Sequence, residues 1–411
     1  MVPMVSRLRG SDEVYLCGRV MPVSFKDTAA IAGIGLSRLG RHLPESQLEL
    51  AASAFRQALD DAGLSRDDVD GLSVNFGWPL GLDYDRIAES FGLDIRYVNQ
   101  TWTHGRFVTM SLQNAAMAVS AGLADVVACV TAASFTRARE ILGGPGDMEG
   151  YREEGGTHGE NPPYGLTAPA GGAALAMRRY MALYGATAEQ LATVAITLRS
   201  HALLNPNAIQ KTPLTLADYL ASRLVVAPLR LFDCCLVSDG AAVVLVTSAE
   251  RARDLKQPPV YISGMQGLRS GRDEFIFAPP GLGINQQGPG RVTPKPRDQD
   301  VYAMAGIDRG EIAALYTYDA FTPLVLFVLE RFGFAQPGEA AAWIQDGRIA
   351  LGGELPVNTS GGLHSEAHVS GWNSIVEIVR QLRGQAGPRQ IGGAEFLQWA
   401  TVWGDSVVFR R

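Results

Sequence analysis

Apolar positions along this chain keep two rhythms, and the rhythms alternate. Thr28 to Gly35 is a short apolar run ending in glycine, which predicts a strand. Glu45 to Ala62 carries apolar residues at helical spacing (Leu48, Ala51, Phe55, Ala58 and Leu59) and stops at Gly63, a natural helix C-cap. Val69 to Phe76 reads as a buried strand. Ser111 to Ala121 predicts a helix of small apolar residues that stops at Gly122. Ala124 to Val130 is apolar almost throughout, as strands covered on both faces are. This alternation predicts an α/β fold with largely parallel pairing.

The pattern returns after Pro258. Val260 to Gly264 reads as a strand, Gln299 to Ala305 begins a helix, Leu324 to Phe332 is apolar on one side, and Ile375 to Leu382 has helical periodicity. Strand-like runs from Phe396 to Phe409 close the chain. Two octapeptides, Ala62 to Val69 and Ala305 to Ile312, share the order Ala-Gly, aliphatic, polar cap, Arg, acid, aliphatic. Each runs on into a strand, ending near Asn75 and near Tyr318, thirteen residues after the shared alanine in both. Duplication explains this better than chance. The chain thus divides into a leader over 1–27, a first half over 28–257 and a second half over 258–411. The first half carries an insertion at about 135–225. This begins with a glycine- and charge-rich stretch, Gly143 to Gly159, whose acidic run Asp147 to Glu154 reads as a solvated flap. Helices follow at Ala168 to Tyr184 and Thr187 to His201, the second opened by the capping pattern Thr187-Ala188-Glu189-Gln190.

Composition narrows the function. With 411 residues, 46% of them apolar, the chain can bury a large core. A net charge of −6 argues against a nucleic-acid binder. No apolar stretch reaches the roughly 18–20 residues of a membrane span, and Met1 to Phe25 has no apolar block fit for a signal peptide. Cys17, Cys129, Cys234 and Cys235 show neither metal spacing nor a disulfide framework, so the cytoplasm is the expected compartment. Cys234 and Cys235, between Phe232 and Leu236, read as small buried hydrophobes.

Four stretches together resemble the thiolase superfamily, in its lipid-transfer-protein or sterol-carrier-type branch. Gln113 to Val127 looks like the helix after the thiolase nucleophile, and Pro228 to Val246 is similar to the strand completing the first half. Tyr318-Asp319-Ala320-Phe321 matches the motif written Asn-Glu-Ala-Phe or His-Asp-Ala-Phe. Pro356 to Gly371 matches the Asn-x-x-Gly-Gly segment and the Gly-His-Pro-x-Gly loop. The resemblance implies two similar βαβαβαββ halves in a five-layered αβαβα arrangement with an inserted loop domain. Ser111–Ala121 and Ile375–Leu382 then occupy equivalent places in the shared central layer.

The departures carry the chemistry. A thiolase takes its acyl group on a thiolate at a helix N-terminus, where dipole and free N–H groups lower the thiol pKa. The family register places that nucleophile at Gly105, and no cysteine lies between Cys17 and Cys129. A second cysteine near the C-terminus is also missing, since none follows Cys235. What the resemblance leaves is machinery for an enolate: His368 in the histidine loop and Tyr318 opposite it. His104, Gly105, Asn358 and Gly404 are the candidate pocket and oxyanion positions, with backbone N–H groups near Gly105 and Gly404 as donors. Cysteine-less members of this branch include aldolases of steroid side-chain breakdown with tyrosines in this role. The implied reaction is therefore retro-aldol cleavage of a β-hydroxyacyl-CoA.

Alternatives stand beside these readings. Tyr318 also suits a core tyrosine at a strand end, His104 a helix cap, and His364 a structural or exposed place. Arg269, Arg272 and Arg291 are unranked candidates for the coenzyme A phosphates. A thiolase-type acyltransferase working without cysteine and a non-catalytic subunit binding acyl-CoA or lipid are the other two functions. The resemblance further implies no covalently held cofactor, coenzyme A as part of the substrate, and a homodimer. The strand Ala124 to Val130 is apolar enough to lie at its interface, and Trp78 and Trp102 are candidates to border it or to sit in the core. A small partner made of a zinc ribbon and an OB-fold is implied as well.

Overall fold

The computed structural model describes residues 24–77, 83–102, 104–138, 168–269 and 299–411. Gly143 to Gly159, Trp78, Arg272 and Arg291 lie outside them. The strands are β1 (Ala29–Leu36), β2 (Gly71–Gly77), β3 (Tyr97–Trp102), β4 (Val126–Ser134), β5 (Leu224–Val226), β6 (Leu229–Arg230), β7 (Asp239–Ser248), β8 (Val260–Gln266), β9 (Ile312–Thr317), β10 (Phe396–Ala400) and β11 (Ser406–Arg410). β5 and β6 form a hairpin of their own. The other nine make one mixed sheet in the order β3-β2-β4-β7-β1-β8-β11-β10-β9.

The two sides of that sheet repeat one pairing scheme. β1 is antiparallel to β7, β7 antiparallel to β4, and β2 lies parallel between β4 and β3. On the other side β8 is antiparallel to β11, β11 antiparallel to β10, and β10 parallel to β9. A parallel bridge from Leu315 to Val357 stands where β3 pairs with β2. The sides join where β1 and β8 run antiparallel at Ala30–Tyr261 and Ile31–Val260.

The octapeptide repeat is a repeat of structure. The helices Gln47–Ala62 and Asp300–Ala305 end on glycines at positive φ, Gly63 at 72° and Gly306 at 69°, where a Cβ is unwelcome. Each glycine leads into a 3-10 turn opened by a reciprocal cap, Ser65 with Asp68 and Asp308 with Glu311. The shared alanines do the same work: Ala62 presses on Gly33 of β1, and Ala305 on Gly264 of β8. A Cβ on either glycine would come within 2.8 Å and 3.1 Å of those alanine methyls. Close helix-on-sheet packing therefore requires glycine at both points.

Gln47–Ala62 covers one face of the first side, with Leu50, Ala54, Phe55 and Ala58 against Val126, Val130, Val243 and Leu245. The helices Val108–Ser120 and Trp372–Leu382 take equivalent places, each between the third strand position and the next strand of its own side. Both belong to the core cluster that the two sides share.

Three expectations are corrected. Pairing in the nine-stranded sheet is not largely parallel: β1–β7, β4–β7, β1–β8, β8–β11 and β10–β11 are antiparallel, and β2–β3, β2–β4 and β9–β10 are parallel. The helix Thr322–Arg331 is not apolar on one side but buried on every face, because helices of the insertion, Pro169–Tyr184 and Ala188–Leu203, pack on it. Its Glu330 is reached by the Tyr180 hydroxyl, which donates at 2.5 Å. β4 is not at an edge either. It is buried along its length between β2 and β7, so its apolarity comes from internal placement, and β3 is the edge strand.

Candidate active site

Tyr318 follows directly on β9, and the strand end that carries it is clamped. Asn358 sits at φ 46°. Its Oδ1 accepts the Thr317 N–H at 2.9 Å, and its Nδ2 donates to the Thr317 carbonyl at 3.0 Å. Asp319, the next residue, accepts from the Leu363 N–H at 3.0 Å and so ties the motif to the histidine loop. The Tyr318 side chain is 6% exposed, and its hydroxyl lies 3.2 Å from His368 Nε2.

His368 is positioned by three contacts from the first side of the sheet. Its N–H donates to Ser238 Oγ at 2.7 Å. Its ring stacks on Phe135 at 4.7 Å and 14°, and its Nδ1 lies 3.9 Å from Cys235 Sγ. Burial pushes the imidazole pKa down from 6.5 to about 4, with Asp319 pulling the other way and His364 reinforcing the fall. The ring is therefore neutral at physiological pH, and a neutral imidazole keeps a lone pair for a proton.

Gly105 opens the 3-10 turn Gly105–Phe107 that leads into the helix Val108–Ser120. A Cβ built on it would fall within the Tyr318 ring. The tyrosine thus occupies the space into which a side chain at this position would project. His104 is buried beside it, 5.0 Å from the Tyr318 ring and 5.1 Å edge-on to Trp403.

Two oxyanion candidates have other work. Both ends of the Asn358 side chain are engaged by Thr317, its N–H donates to Leu315, and its carbonyl accepts from Gly361. The residue positions Tyr318 instead of facing a ligand. The Gly404 N–H donates to the Thr401 carbonyl at 3.0 Å inside the β10–β11 turn. Glycine stands there because φ is +80° and a Cβ would meet the Arg331 guanidinium. Arg269, a phosphate candidate, pairs with Asp300 at 2.8 Å.

The cysteines among the described residues, Cys129, Cys234 and Cys235, are not poised for thiolate chemistry. Burial pushes Cys129 and Cys234 up to about 12, and Cys235 higher still. Cys234 and Cys235 are, however, only half-buried. With Arg199, Arg223 and His364 they line a cavity of about 370 Å³. The adjacent-cysteine reading missed this, because only the loop path past Ala320 and Leu363 brings the pair to the site. Phe135 and Trp403 were missed as well; nothing in their local sequence points to a ring contact.

This pairing scheme defines a thiolase-type fold, and beside it Tyr318 packs over Gly105 and reaches His368. Residues 298–405 match the family described as Thiolase C-terminal domain-like. The steroid side-chain-cleaving aldolase of Thermomonospora curvata is 40% identical over 364 residues, 87% of this chain and 90% of that protein. The 17-hydroxy-3-oxo-4-pregnene-20-carboxyl-CoA lyase of Mycobacterium tuberculosis is 38% identical over 365 residues, 87% and 92%. The solved Ltp2-ChsH2(DUF35) aldolase superposes with a TM-score of 0.83 at 35% identity, over 94% of this chain and 98% of that one. The chain belongs to the thiolase superfamily, in the lipid-transfer-protein branch that holds these aldolases. No helix among the described residues is long and apolar enough to cross a membrane.

Proposed function

We propose that this protein is a carbon–carbon lyase that cleaves a β-hydroxyacyl-CoA by a retro-aldol reaction. One observation carries the reading: the Tyr318 ring fills the space beside Gly105 while its hydroxyl sits 3.2 Å from the neutral His368. Tyr318 takes the β-hydroxyl proton of the substrate as its own proton passes to His368 Nε2. The Cα–Cβ bond then breaks, its electron pair moving to the thioester enolate as the β-carbon becomes a ketone or aldehyde carbonyl. The proton returns through the same pair to the α-carbon and leaves a shorter acyl-CoA. No acyl-enzyme is needed.

The names of the two relatives support a steroid, or another bulky acyl group, as the substrate. The DUF35 component in the name of the solved aldolase supports a small zinc-ribbon and OB-fold partner here. The exposed edge strand β3, with Val98 42% exposed, supports a homodimer. The pairing scheme supports dividing the chain into halves near 257, and the cytoplasm is part of the same proposal. Incubation with a panel of β-hydroxyacyl-CoAs and β-ketoacyl-CoAs, with products identified by mass, tests the reaction. A ketone or aldehyde plus a shorter acyl-CoA is expected from the hydroxy series alone.

Besides the cysteine-free acyltransferase read from the sequence, the 3.9 Å approach of Cys235 Sγ to His368 Nδ1 favours a second reading, an acyltransferase that uses this cysteine. Replacing all four cysteines by alanine separates the two. The lyase retains most of its activity in a folded variant, whereas an acyl group trapped on any cysteine returns the chain to the transferases.

A further inference from the structure

The clamp on Tyr318 and the loop that carries His368 meet at one buried carboxylate. Glu366 stands two residues before His368 and is fully shielded from solvent. Its Oε1 accepts from Asn205 Nδ2 at 2.9 Å, and its Oε2 accepts from Ser360 Oγ at 2.6 Å and from Asn373 Nδ2 at 2.7 Å. The three donors come from three elements. Asn205 lies just past the insertion helix Ala188–Leu203, and its Nδ2 also reaches the Ser360 carbonyl at 2.9 Å. Ser360 belongs to the turn of Asn358, closed by the Gly361 N–H on the Asn358 carbonyl. Asn373 is in the first turn of the helix Trp372–Leu382. The backbone ties the loop down as well, for the Glu366 carbonyl accepts the Ile209 N–H at 2.9 Å. Every contact to the carboxylate is a donor, so the ionised form fits and a protonated one needs a neighbour to reorient. Asn373 Oδ1, buried and without a hydrogen-bond partner among the described residues, becomes the acceptor once that amide turns over.

We infer that Glu366 is a positioning residue: as a carboxylate it locks the Asn358 turn to the histidine loop and so holds the Tyr318 hydroxyl within hydrogen-bond reach of His368. The inference rests on the lyase reading above, in which a proton passes along that 3.2 Å contact. Charge-assisted hydrogen bonds are the strong ones, and a reaction between positioned groups is lost steeply as they move apart. Protonation weakens all three bonds at once and lets the loop shift against the clamp. Burial raises the Glu366 carboxyl to about 7 against the pull of its three donors, with Glu377 adding to the rise. Of the other ionisable groups around the junction, Glu377 and Arg389 pair with each other at 2.9 Å, and His364 with Asp319 at 3.0 Å. Burial holds His201, on the insertion helix, down at about 4, and Tyr316, in β9, well above its usual 10.

Activity and stability should move apart when this carboxylate is neutralised. Glu366→Gln replaces one acceptor oxygen by an amide donor and stands for the protonated acid. Asn205→Ala removes a single donor and leaves the carboxylate. Cleavage of a β-hydroxyacyl-CoA is followed from pH 6 to 8 in the full-length wild type and both variants, with Tm at each pH. Wild-type kcat should rise about tenfold across this range as Glu366 ionises. In Glu366→Gln it should stay flat, about 10–100-fold below the wild-type value at pH 8, with KM little changed. Its Tm at pH 8 should not fall, because a carboxyl raised to about 7 in the folded state costs stability as pH rises through that value. Asn205→Ala should lower kcat less and move the inflection to higher pH, since one donor to the carboxylate is gone. A wild-type inflection that survives in Glu366→Gln overturns the inference, as does a wild-type kcat in that variant. Should Glu366→Gln not fold, an Asn205→Ala profile that coincides with the wild type's overturns it. A crystal structure of Glu366→Gln reads the geometry without turnover. Separation of the Tyr318 hydroxyl from His368 Nε2 beyond about 3.5 Å is expected, and an unchanged 3.2 Å contact overturns the positioning role. If the wild type cleaves no β-hydroxyacyl-CoA at any pH, the lyase reading falls and the crystal structure alone decides the positioning.

Discussion

Asn75 and Tyr318 stand at equivalent strand ends, thirteen residues beyond the shared alanine of the repeat, and the fold uses them in opposite ways. Asn75 is closed off. Its Nδ2 donates to Thr101 Oγ1 at 2.8 Å, and its Oδ1 accepts from the indole N–H of Trp372 at 2.8 Å. Trp372 opens the second side's helix, so this strand end fastens one side to the other. Tyr318 extends past its strand and lies against Gly105 and His368. Its own strand end is secured by a separate residue, Asn358. Because Asn358 takes over the clamp, the Tyr318 side chain is left for the chemistry proposed above.

Changes at the two strand ends should therefore separate activity from stability. The largest effect is expected from Tyr318→Phe, which removes the hydroxyl and keeps the ring against Gly105. It should lower kcat by about 10²–10⁴-fold with little change in Tm, the usual loss for a positioned proton-transfer group. Steady-state kinetics on the cleaved β-hydroxyacyl-CoA check this, and a near-wild-type rate would remove Tyr318 from the reaction.

A smaller loss, about 10–100-fold, is expected from Gly105→Ala. The new methyl overlaps the Tyr318 ring and must displace it, and misplacing a reacting group by about 1 Å costs on the order of 10². The same kinetics, with a structure of the variant, would show whether the ring has moved.

Asn75→Ala should act on stability alone. It leaves the Trp372 indole N–H buried and unpartnered, a cost of about 1–3 kcal/mol, readable as a lower midpoint in denaturant unfolding. The kcat of the folded protein should not change. A kcat loss on the scale of Tyr318→Phe would mean that the two strand ends share the chemistry.

The mildest effect concerns pH. His368 has a folded pKa of about 4 against 6.5 for an unperturbed imidazole, so the unfolded state binds its proton first as pH falls. Its contribution to stability is complete above pH 6.5 and is lost as pH falls toward 4. Glu366 and Asp405, which burial raises to about 7 and about 6, respond with the opposite sign over much of the same range. The measurement is therefore the difference in Tm between wild type and His368→Gln across pH 4–7. Stability that falls more steeply in the wild type supports a buried neutral His368, and parallel profiles contradict it.

The amphipathic helices, the β strands and the duplication were legible because each rests on local rules. Gly63 and Gly306 mark helix ends that need positive φ, and Ser65 and Asp308 are caps within one turn of their partners. The Tyr318 and His368 motifs were legible through resemblance, and the missing thiolate through a count of cysteines. Asn358 and Gly404 were read as donors to a ligand because sequence names a polar group without saying where its hydrogen bond goes. Thr317 and Thr401 take those groups, and only the chain path shows it. Leu324 to Phe332 was read as half-buried for a similar reason. Periodicity reports the face that is apolar, while here the insertion also covers the other.

By itself, then, the sequence determined the elements, the repeat and the absence of a nucleophile, because propensity, capping and composition act over a few residues. Tertiary structure alone decided that Phe135, Ser238 and Cys235 would frame His368. It also decided that Asp319 would hold His364 beside a cavity, and that Tyr318 would lie over Gly105. Except for Asp319 and His364, which are 45 positions apart on the same side, these residues come from segments more than a hundred positions apart. Their distances follow from how the two sides are joined through β1 and β8 and packed around shared helices, which no local pattern encodes.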